Sequence, residues 1–224
     1  MEVRETCDAK DKLLYDLWVK YAKPREGMHA SDLDLCLGKP YYRKTAPLPL
    51  PMSSIVLFML GYAFQHEMTG EPDDIEVVLG GIEAGLDSTY TNPDGSLDIL
   101  EFKTTAESLE LKDGTRFTPT KHASWMRRAM TYCMVCGIST VRFIVLFTIT
   151  RKIGEWTVLF SQEEVEANWQ EVLTRKSIVE KAIADKVYPV PDLHEPWECG
   201  YCENNIPGRC AGVRASPAPE RKKK

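Results

Sequence analysis

The chain has 224 residues, of which 43% are hydrophobic, so it can bury one sizeable core or at most two small ones. Its 28 lysines and arginines against 33 aspartates and glutamates give a net charge of -5, which excludes a global positive field that would attract nucleic acid or an anionic membrane. The longest apolar run, Ile55 to Tyr62, is far shorter than the roughly 20 residues of a membrane span and lacks the basic leader of a signal peptide, so we expect a soluble cytoplasmic protein.

Hydrophobic periodicity predicts helices and strands in alternation along the chain. In chain order we expect an amphipathic helix over about 10–23, a mostly buried helix over 53–68, strands over about 75–80, 83–90 and 97–104, a helix over about 122–136, strands over 140–150 and 156–160, and a helix over about 161–185. The last helix begins with Ser161-Gln162-Glu163-Glu164, which has the capping-box form. Helices that flank a mixed sheet give an α/β core.

The strand over 97–104 carries two charged residues in an apolar setting. Side chains alternate along a strand, so Glu101 and Lys103 share one face while apolar residues lie on both faces. Such a strand is covered on both sides, as in the centre of an α/β sheet. A carboxylate and a lysine buried there need a partner or a metal to offset their desolvation.

A turn upstream sets the register of this strand. Asn92-Pro93-Asp94-Gly95 is a strong turn signal, and a three-residue loop with Gly95 left-handed brings Asp87 opposite Glu101. Directly opposed Cβ atoms are roughly 4.5–5.5 Å apart, so the two carboxylates need a cation such as Mg²⁺ or Mn²⁺. The pattern predicts hydrolysis of a phosphodiester, in which Lys103 orients water and neutralises the developing charge. The alternative is a surface hairpin with a simple Glu-Lys pair.

Two short motifs here resemble a known signature. Gly85-Leu86-Asp87 followed by Glu101-Phe102-Lys103 resembles the PD-(D/E)XK nuclease motif, and more narrowly that of the RecB-like exonucleases. The resemblance implies a restriction-endonuclease-like fold, and a metal held by His66, Asp87, Glu101 and the backbone carbonyl of Phe102. Without the resemblance, His66 would more often be a helix-end histidine bonded to the backbone.

The family also has a Gln-x-x-x-Tyr motif on the helix after the catalytic strand. Here Tyr132 is present, but Arg128 replaces the glutamine, and an arginine can still contact phosphate. We expect Tyr132, Arg128, Arg127 and Lys121 to be the DNA contacts. Core packing is the stronger expectation for Trp125.

The cysteines suggest a second metal centre. Cys199, Cys202 and Cys210 supply three thiolates in a loop-rich segment, and either Cys36 or His194 is available as a fourth ligand. By spacing alone, zinc and an iron–sulfur cluster are both possible. Cys133 and Cys136 lie on an apolar helix, where we expect small core residues.

The cysteines also carry a narrower resemblance. One cysteine before the nuclease core and three after it are similar to the iron–sulfur branch of the CRISPR-associated exonucleases, and the match spans about residues 31–211. It implies a 4Fe-4S cluster on Cys36, Cys199, Cys202 and Cys210, with a single nuclease domain made of a core at about 50–186 and a cap at about 1–49 and 187–211. It also implies single-stranded or splayed DNA ends as substrate, a role in spacer acquisition and the CRISPR integrase as partner. The terminal run of basic residues, Arg221 to Lys224, predicts a basic disordered tail at 212–224, with nonspecific DNA affinity as the alternative.

Two other functions fit the same residues. One is a phage or cellular DNA-repair nuclease of the same fold. The other is a module that binds DNA through an iron–sulfur or zinc centre without cutting it. Retention of Asp87, Glu101 and Lys103 argues against the second, because binding alone does not need a buried lysine.

Overall fold

A computed structural model describes residues 12–16, 19, 27–70, 75–111, 114–189, 198–199, 202–206 and 209–210. Residues 12–16 are helical, and most of the helix predicted over 10–23 lies outside the described residues, as do Cys7, His194 and the predicted tail. No helix within these ranges is long and apolar enough to cross a membrane.

The prediction of an α/β fold with a mixed sheet flanked by helices is confirmed in its class, but the described strands form two mixed sheets instead of one. The described elements are, in chain order, β1 (Met28–His29), α1 (Ala30–Leu33), α2 (Gly38–Thr45), α3 (Met52–Thr69), β2 (Ile75–Leu79), β3 (Ile82–Leu86), β4 (Ser88–Thr91), β5 (Leu97–Thr105), a 3₁₀ turn (Pro119–Lys121), α4 (Ala123–Cys136), β6 (Thr140–Phe147), β7 (Lys152–Leu159) and α5 (Gln162–Asp185).

The strands form two sheets. The larger has the order β4-β5-β6-β7, with β5 parallel to β6 and the two outer pairs antiparallel. The smaller has the order β1-β3-β2, with β1 parallel and β2 antiparallel to β3. Parallel strands need a crossover connection, and α4 provides it between β5 and β6. This arrangement puts β5, with Glu101 and Lys103, inside the larger sheet.

The pattern of β6 explains where the core lies. Val141, Phe143, Val145 and Phe147 are fully buried and alternate with partly buried residues, so one face of the strand packs into the core. Trp125 of α4 stacks on Phe143, with ring centroids 6.3 Å apart. The expectation that Trp125 packs in the core is therefore confirmed.

Helix α3 is more exposed than its sequence predicts. One side packs as expected, since Ile55 is buried and Phe64 lies edge-on to Phe102 of β5, with ring centroids 5.7 Å apart. The other side exposes apolar side chains, at Val56, Leu57, Phe58, Leu60 and Met68. The prediction of a mostly buried helix is wrong for this side, because an apolar run does not tell how many sides of a helix meet the core.

Helix α5 begins as predicted and holds the segment before α2. Ser161 accepts a hydrogen bond from the backbone of Glu164, whose side chain accepts one from the backbone of Ser161, so the capping box is present. Further along, Arg175 is buried and donates from Nε to the carbonyl of Leu33 at 2.5 Å, and from its guanidinium to the carbonyl of Leu35. The short segment that leads to Cys36 is thus fixed to α5.

Three strand predictions need correction. The strand expected over 83–90 is interrupted at Asp87, because the chain leaves the smaller sheet there and enters the larger one. The strand expected over 140–150 ends at Phe147, and the one expected over 156–160 begins already at Lys152.

Candidate active site

The hairpin between β4 and β5 sets the register of the two carboxylates. Ser88 pairs with Leu100, so the preceding Asp87 comes opposite Glu101, as the turn predicts. Gly95 has a φ of 85°, the left-handed conformation that the three-residue loop requires. The sequence-based register is therefore confirmed.

Asp87 lies at the junction of the two sheets. Its Oδ2 accepts a hydrogen bond from the backbone N–H of Phe102 at 2.6 Å. The side-chain amide of Gln65, on α3, reaches the backbone carbonyl of Asp87 at 3.5 Å. Asp87 is thus positioned by β5 and by the end of α3 together.

Glu101 and Lys103 form a buried ion pair on β5. Lys103 Nζ donates to Glu101 Oε1, and the two side chains are 15% and 2% exposed, respectively. Glu101 Oε2 is buried and has no hydrogen-bond partner among the described residues. Since an unpaired buried carboxylate oxygen is unfavourable, Oε2 is the atom of this pair that is available to a cation or a donor.

Tyr132, on α4, lies in the electrostatic field of these carboxylates. Burial raises the pKa of Tyr132 well above its ordinary value, and the charges of Glu101 and Asp87 raise it further against the opposing effect of Arg128. Tyr132 is 4% exposed, so stacking on a DNA base would require its ring to be uncovered.

Arg128, one turn before Tyr132, is held by an aspartate that the sequence did not single out. Its Nε donates to Asp34 Oδ2 at 2.7 Å, and Asp34 is 2% exposed. Burial raises the pKa of Asp34, while Arg128 and Lys103 lower it. Burial opposes the charge of Arg128, but Asp34, Tyr132 and Glu101 outweigh it and hold the pKa of Arg128 above its usual range. Asp34 and Arg128 therefore share the electrostatic environment of the Glu101–Lys103 pair.

The remaining predicted site residues have varied positions. His66 is exposed in the last turn of α3, and Lys121 is exposed in the 3₁₀ turn. Arg127 donates from Nε and Nη2 to the backbone carbonyl of Asp34, at 3.0 and 2.8 Å. Within the described ranges, no three His, Cys, Asp or Glu side chains lie close enough together to hold a metal ion. His66, Asp87 and Glu101 are thus not arranged as a ready ligand set.

Four cysteines come from distant parts of the sequence, and among the described residues no three of them lie close enough together to hold a metal ion. All are free thiols and partly buried, namely Cys36, Cys199, Cys202 and Cys210. Burial raises the pKa of Cys36, and Glu198, Cys210 and Cys202 raise it further. Burial likewise raises the pKa of Cys199, with Cys210 next in effect. Cys210 therefore affects the pKa of thiols that lie both before and after the larger sheet in the sequence.

The C-terminal segment packs on the region around Cys36. Glu198 is 1% exposed, accepts a hydrogen bond from the backbone of Cys36 at 3.4 Å and forms an ion pair with Lys39 at 3.2 Å. The guanidinium of Arg209 lies 4.6 Å from the ring centroid of Tyr42 on α2. These contacts join two segments that lie before and after the larger sheet in the sequence.

Solved structures with a similar architecture have low sequence identity to this chain. The crystal structure of SSO0001 has a TM-score of 0.52 and 15% identity, covering 89% of this chain and 95% of that chain. This chain shares its fold with SSO0001. The alkaline exonuclease LHK-Exo from Laribacter hongkongensis has a TM-score of 0.43 and 12% identity, covering 71% of this chain and 91% of that chain. Its complex with dAMP has a TM-score of 0.41, with the same identity and coverage. No protein-family model and no curated protein sequence matches the chain.

Asp34 is the site residue that sequence reasoning missed. A signal was available, because Asp34 lies between Leu33 and Leu35, and an acid flanked by apolar residues needs a partner if the segment is buried. The partner, Arg128, lies on a distant helix. Sequence patterns over short ranges cannot connect these two residues.

Proposed function

We propose that this chain is a metal-dependent DNA exonuclease that acts on single-stranded or splayed DNA ends. The observation that carries the proposal is the buried Glu101–Lys103 pair, whose Glu101 Oε2 has no hydrogen-bond partner in the described part of the chain. An acid and a lysine held together inside a sheet need a function that offsets the desolvation of both charges. Hydrolysis of a phosphodiester uses both.

The donor atoms suit a hard divalent cation. Glu101 Oε2 and the carboxylate of Asp87 are oxygen ligands of the kind that Mg²⁺ and Mn²⁺ prefer, and the backbone carbonyl of Phe102 lies between Glu101 and Lys103 in sequence. By the resemblance to the RecB-like exonucleases, His66 would complete the set. When bound, the cation supplies positive charge at the reacting phosphate.

The protein's own residues have separable roles in this proposal. Lys103 neutralises the negative charge that develops on phosphate oxygens, and its bond to Glu101 fixes its ammonium group on the site face of β5. Asp87 is oriented by the Phe102 N–H, which fixes its carboxylate at the junction of the two sheets beside β5. Arg128 supplies further positive charge for a DNA phosphate.

The biological role that we propose is processing of DNA for CRISPR spacer acquisition, in the cytoplasm and with the CRISPR integrase as partner. Its support is the resemblance of the cysteine arrangement to the iron–sulfur branch of the RecB-like exonucleases. A neighbouring integrase gene would favour this role over that of a phage or cellular repair nuclease. The proposed division is a PD-(D/E)XK core at about 50–186 and a cap formed by about 1–49 and 187–211.

We further propose that the cap holds an iron–sulfur cluster, with 4Fe-4S favoured over zinc. The thiols of Cys36, Cys199, Cys202 and Cys210 are free, and burial raises the pKa of the first three. Iron–sulfur clusters are held by four thiolates of this kind. Such a centre would tie the two ends of the described chain together.

The first test is digestion of end-labelled single strands of both polarities in Mn²⁺. We expect Lys103→Ala to lower the rate by about a hundredfold or more, because charge stabilisation in the transition state is lost. Circular dichroism should report an unchanged fold. Use of both polarities gives the direction of digestion in the same experiment.

Lys176 provides a matched control. Its ammonium also forms an ion pair, with Glu180, and its side chain is 20% exposed against 15% for Lys103. We expect Lys176→Ala to digest DNA like the wild type. Undiminished digestion by Lys103→Ala would rule out the mechanism, whereas binding without digestion by the wild type would favour the binding module.

A further inference from the structure

Two arginines in the described structure hold a buried aspartate in the same way. On β6, Arg142 Nε donates to Asp98 Oδ2 at 2.6 Å. The terminal nitrogens of Arg142 also bond to the protein, with Nη1 3.2 Å from Glu155 Oε1 and Nη2 2.6 Å from Asn92 Oδ1. All three nitrogens of this guanidinium are therefore used to stabilise the sheet.

Arg128 is held through Nε in the same way as Arg142, but its terminal nitrogens differ from those of Arg142. Its Nε donates to Asp34 Oδ2 at 2.7 Å, yet its terminal nitrogens donate to no residue within the described ranges. The side chain is 26% exposed, so a ligand can approach it, whereas its aspartate is buried at 2%. Asp34 thus holds Arg128 through Nε, and the two terminal nitrogens of the guanidinium, which form its fork, can donate to another acceptor.

The position of this fork points to the proposed active site. Helix α4, which carries Arg128, packs against β5, which carries Glu101 and Lys103. In keeping with this packing, the charge of Glu101 raises the pKa of Arg128, and that of Lys103 lowers the pKa of Asp34. A phosphate group at the site would therefore come within the field of Arg128.

The backbone around Asp34 is held in place by hydrogen bonds that do not involve the Asp34 side chain. The backbone carbonyl of Asp34 accepts two hydrogen bonds from Arg127, and the carbonyls on either side accept from Arg175. Substitution of the Asp34 side chain leaves these backbone bonds in place. The carboxylate of Asp34 is therefore free to serve Arg128.

We propose that Asp34 is a positioning residue that fixes Arg128 by its Nε, so that the two terminal nitrogens bind one phosphate of the DNA strand. A planar guanidinium matches two phosphate oxygens when its orientation is fixed. The identity of the ligand as DNA rests on the proposed function. The role of Asp34 goes beyond the proposed function, because Asp34 does not contact DNA itself and acts only by positioning Arg128.

The test is a double-mutant cycle on the Kd for a fluorescent single strand in Ca²⁺, with KM in Mn²⁺ as a second measurement. We expect Arg128→Ala to raise Kd by about ten- to a hundredfold, the range for hydrogen bonds to a charged group. Asp34→Ala should produce most of this loss. The double variant should bind no more weakly than Arg128→Ala alone, because the two residues act as one unit.

Two further variants separate positioning from a structural role. Asp34→Asn keeps an oxygen for Arg128 Nε and should bind within about threefold of the wild type, given that the hydrogen bond is retained. Arg128→Lys keeps the positive charge, but an ammonium group cannot bond Asp34 and two phosphate oxygens at the same time. This variant should therefore bind the strand as weakly as Arg128→Ala. If Asp34→Ala fails to fold, these two variants decide the question.

The salt dependence gives an independent readout. Loss of one phosphate contact lowers the slope of log Kd against log salt concentration by about 0.7 for single strands, and we expect this change in both variants that carry Arg128→Ala. The matched control is the other pair, in which Arg142→Ala and Asp98→Ala should leave Kd and the slope unchanged.

Three results would overturn the inference: additive losses in the cycle, binding by Arg128→Lys equal to that of the wild type, or an unchanged salt slope in Arg128→Ala. Failure of the proposed function looks different. In that case the wild type binds the strand without digesting it, or Lys103→Ala digests it normally, whatever the cycle shows for Asp34 and Arg128.

Discussion

Cys133 and Cys136 lie on α4 in a Cys-x-x-Cys pattern, and the structure favours core packing over metal ligation for Cys133. Cys133 is 3% exposed, and burial, followed by the nearby Cys136, raises its pKa to about 12. Cys133 belongs to the cluster of buried core residues that also contains Ala129 and Tyr132. The prediction from sequence that Cys133 is a small core residue agrees with its burial.

This raised pKa predicts a specific pH dependence of stability. The unfolded thiol loses its proton near pH 8.5, whereas the folded one keeps it to about pH 12. The contribution of the protonated Cys133 thiol to the free energy of unfolding is therefore fully present below about pH 8.5. It is lost as the pH rises toward 12, by about 1.4 kcal/mol per pH unit. Urea unfolding between pH 8 and 10.5 should show a steeper decline for the wild type than for Cys133→Ala. Equal slopes would mean that Cys133 ionises as readily in the folded chain.

Part of the candidate active site could be predicted from single residues and their spacing. The turn before β5 and the alternation along it predicted that Asp87 faces Glu101, because a hairpin's register depends only on local sequence. Asp34 and its bond to Arg128 could not be predicted, since this contact depends on how α4 packs against the segment before α2.

At the scale of elements, Arg175 of α5 makes a strong prediction for stability. It is 2% exposed and donates to the carbonyls of Leu33 and Leu35. Arg175→Met fills a similar volume but leaves both buried carbonyls without these donors. We expect a loss of roughly 2–6 kcal/mol in the free energy of unfolding, measured in urea, from two unsatisfied buried groups.

Lys181 on the same helix is the control for this change. It is exposed and pairs with Asp185 one turn away, an arrangement that contributes little to stability. Lys181→Met should leave the unfolding midpoint unchanged. An equally small effect of Arg175→Met would show that water replaces the lost donors, and that α5 does not fix the segment before Cys36.

Elements with strong local signals were the easiest to predict from sequence. The capping box placed the start of α5 correctly, and the apolar alternation placed β6, because both signals belong to the element itself. The short helices α1 and α2 were missed, since they are held by distant residues such as Arg175. The exposed side of α3 was also missed, because the number of packing partners of a helix is a tertiary property.

At the scale of the molecule, contacts between the segments before and after the larger sheet organise the proposed cap. Glu198 accepts a hydrogen bond from the backbone N–H of Cys36, and the guanidinium of Arg209 lies over the ring of Tyr42. Each contact closes a loop that contains the larger sheet. Closure of so long a loop has a large entropic cost, which a covalent or metal link between the segments would offset.

The proposed cluster therefore predicts linked changes in colour and stability. Anaerobically purified protein should be brown with a broad visible absorbance band. Cys36→Ser and Cys202→Ser should each lose the band and lower Tm, because one missing thiolate opens the link between the segments. Cys136→Ser should keep the absorbance band and the wild-type Tm, since Cys136 lies on α4 and is outside the group of four cysteines. A colourless wild type with stoichiometric zinc would show that the same ligands hold zinc instead of an iron–sulfur cluster. An unchanged band in Cys36→Ser would show that Cys36, in the segment before α2, is not a ligand of the metal centre.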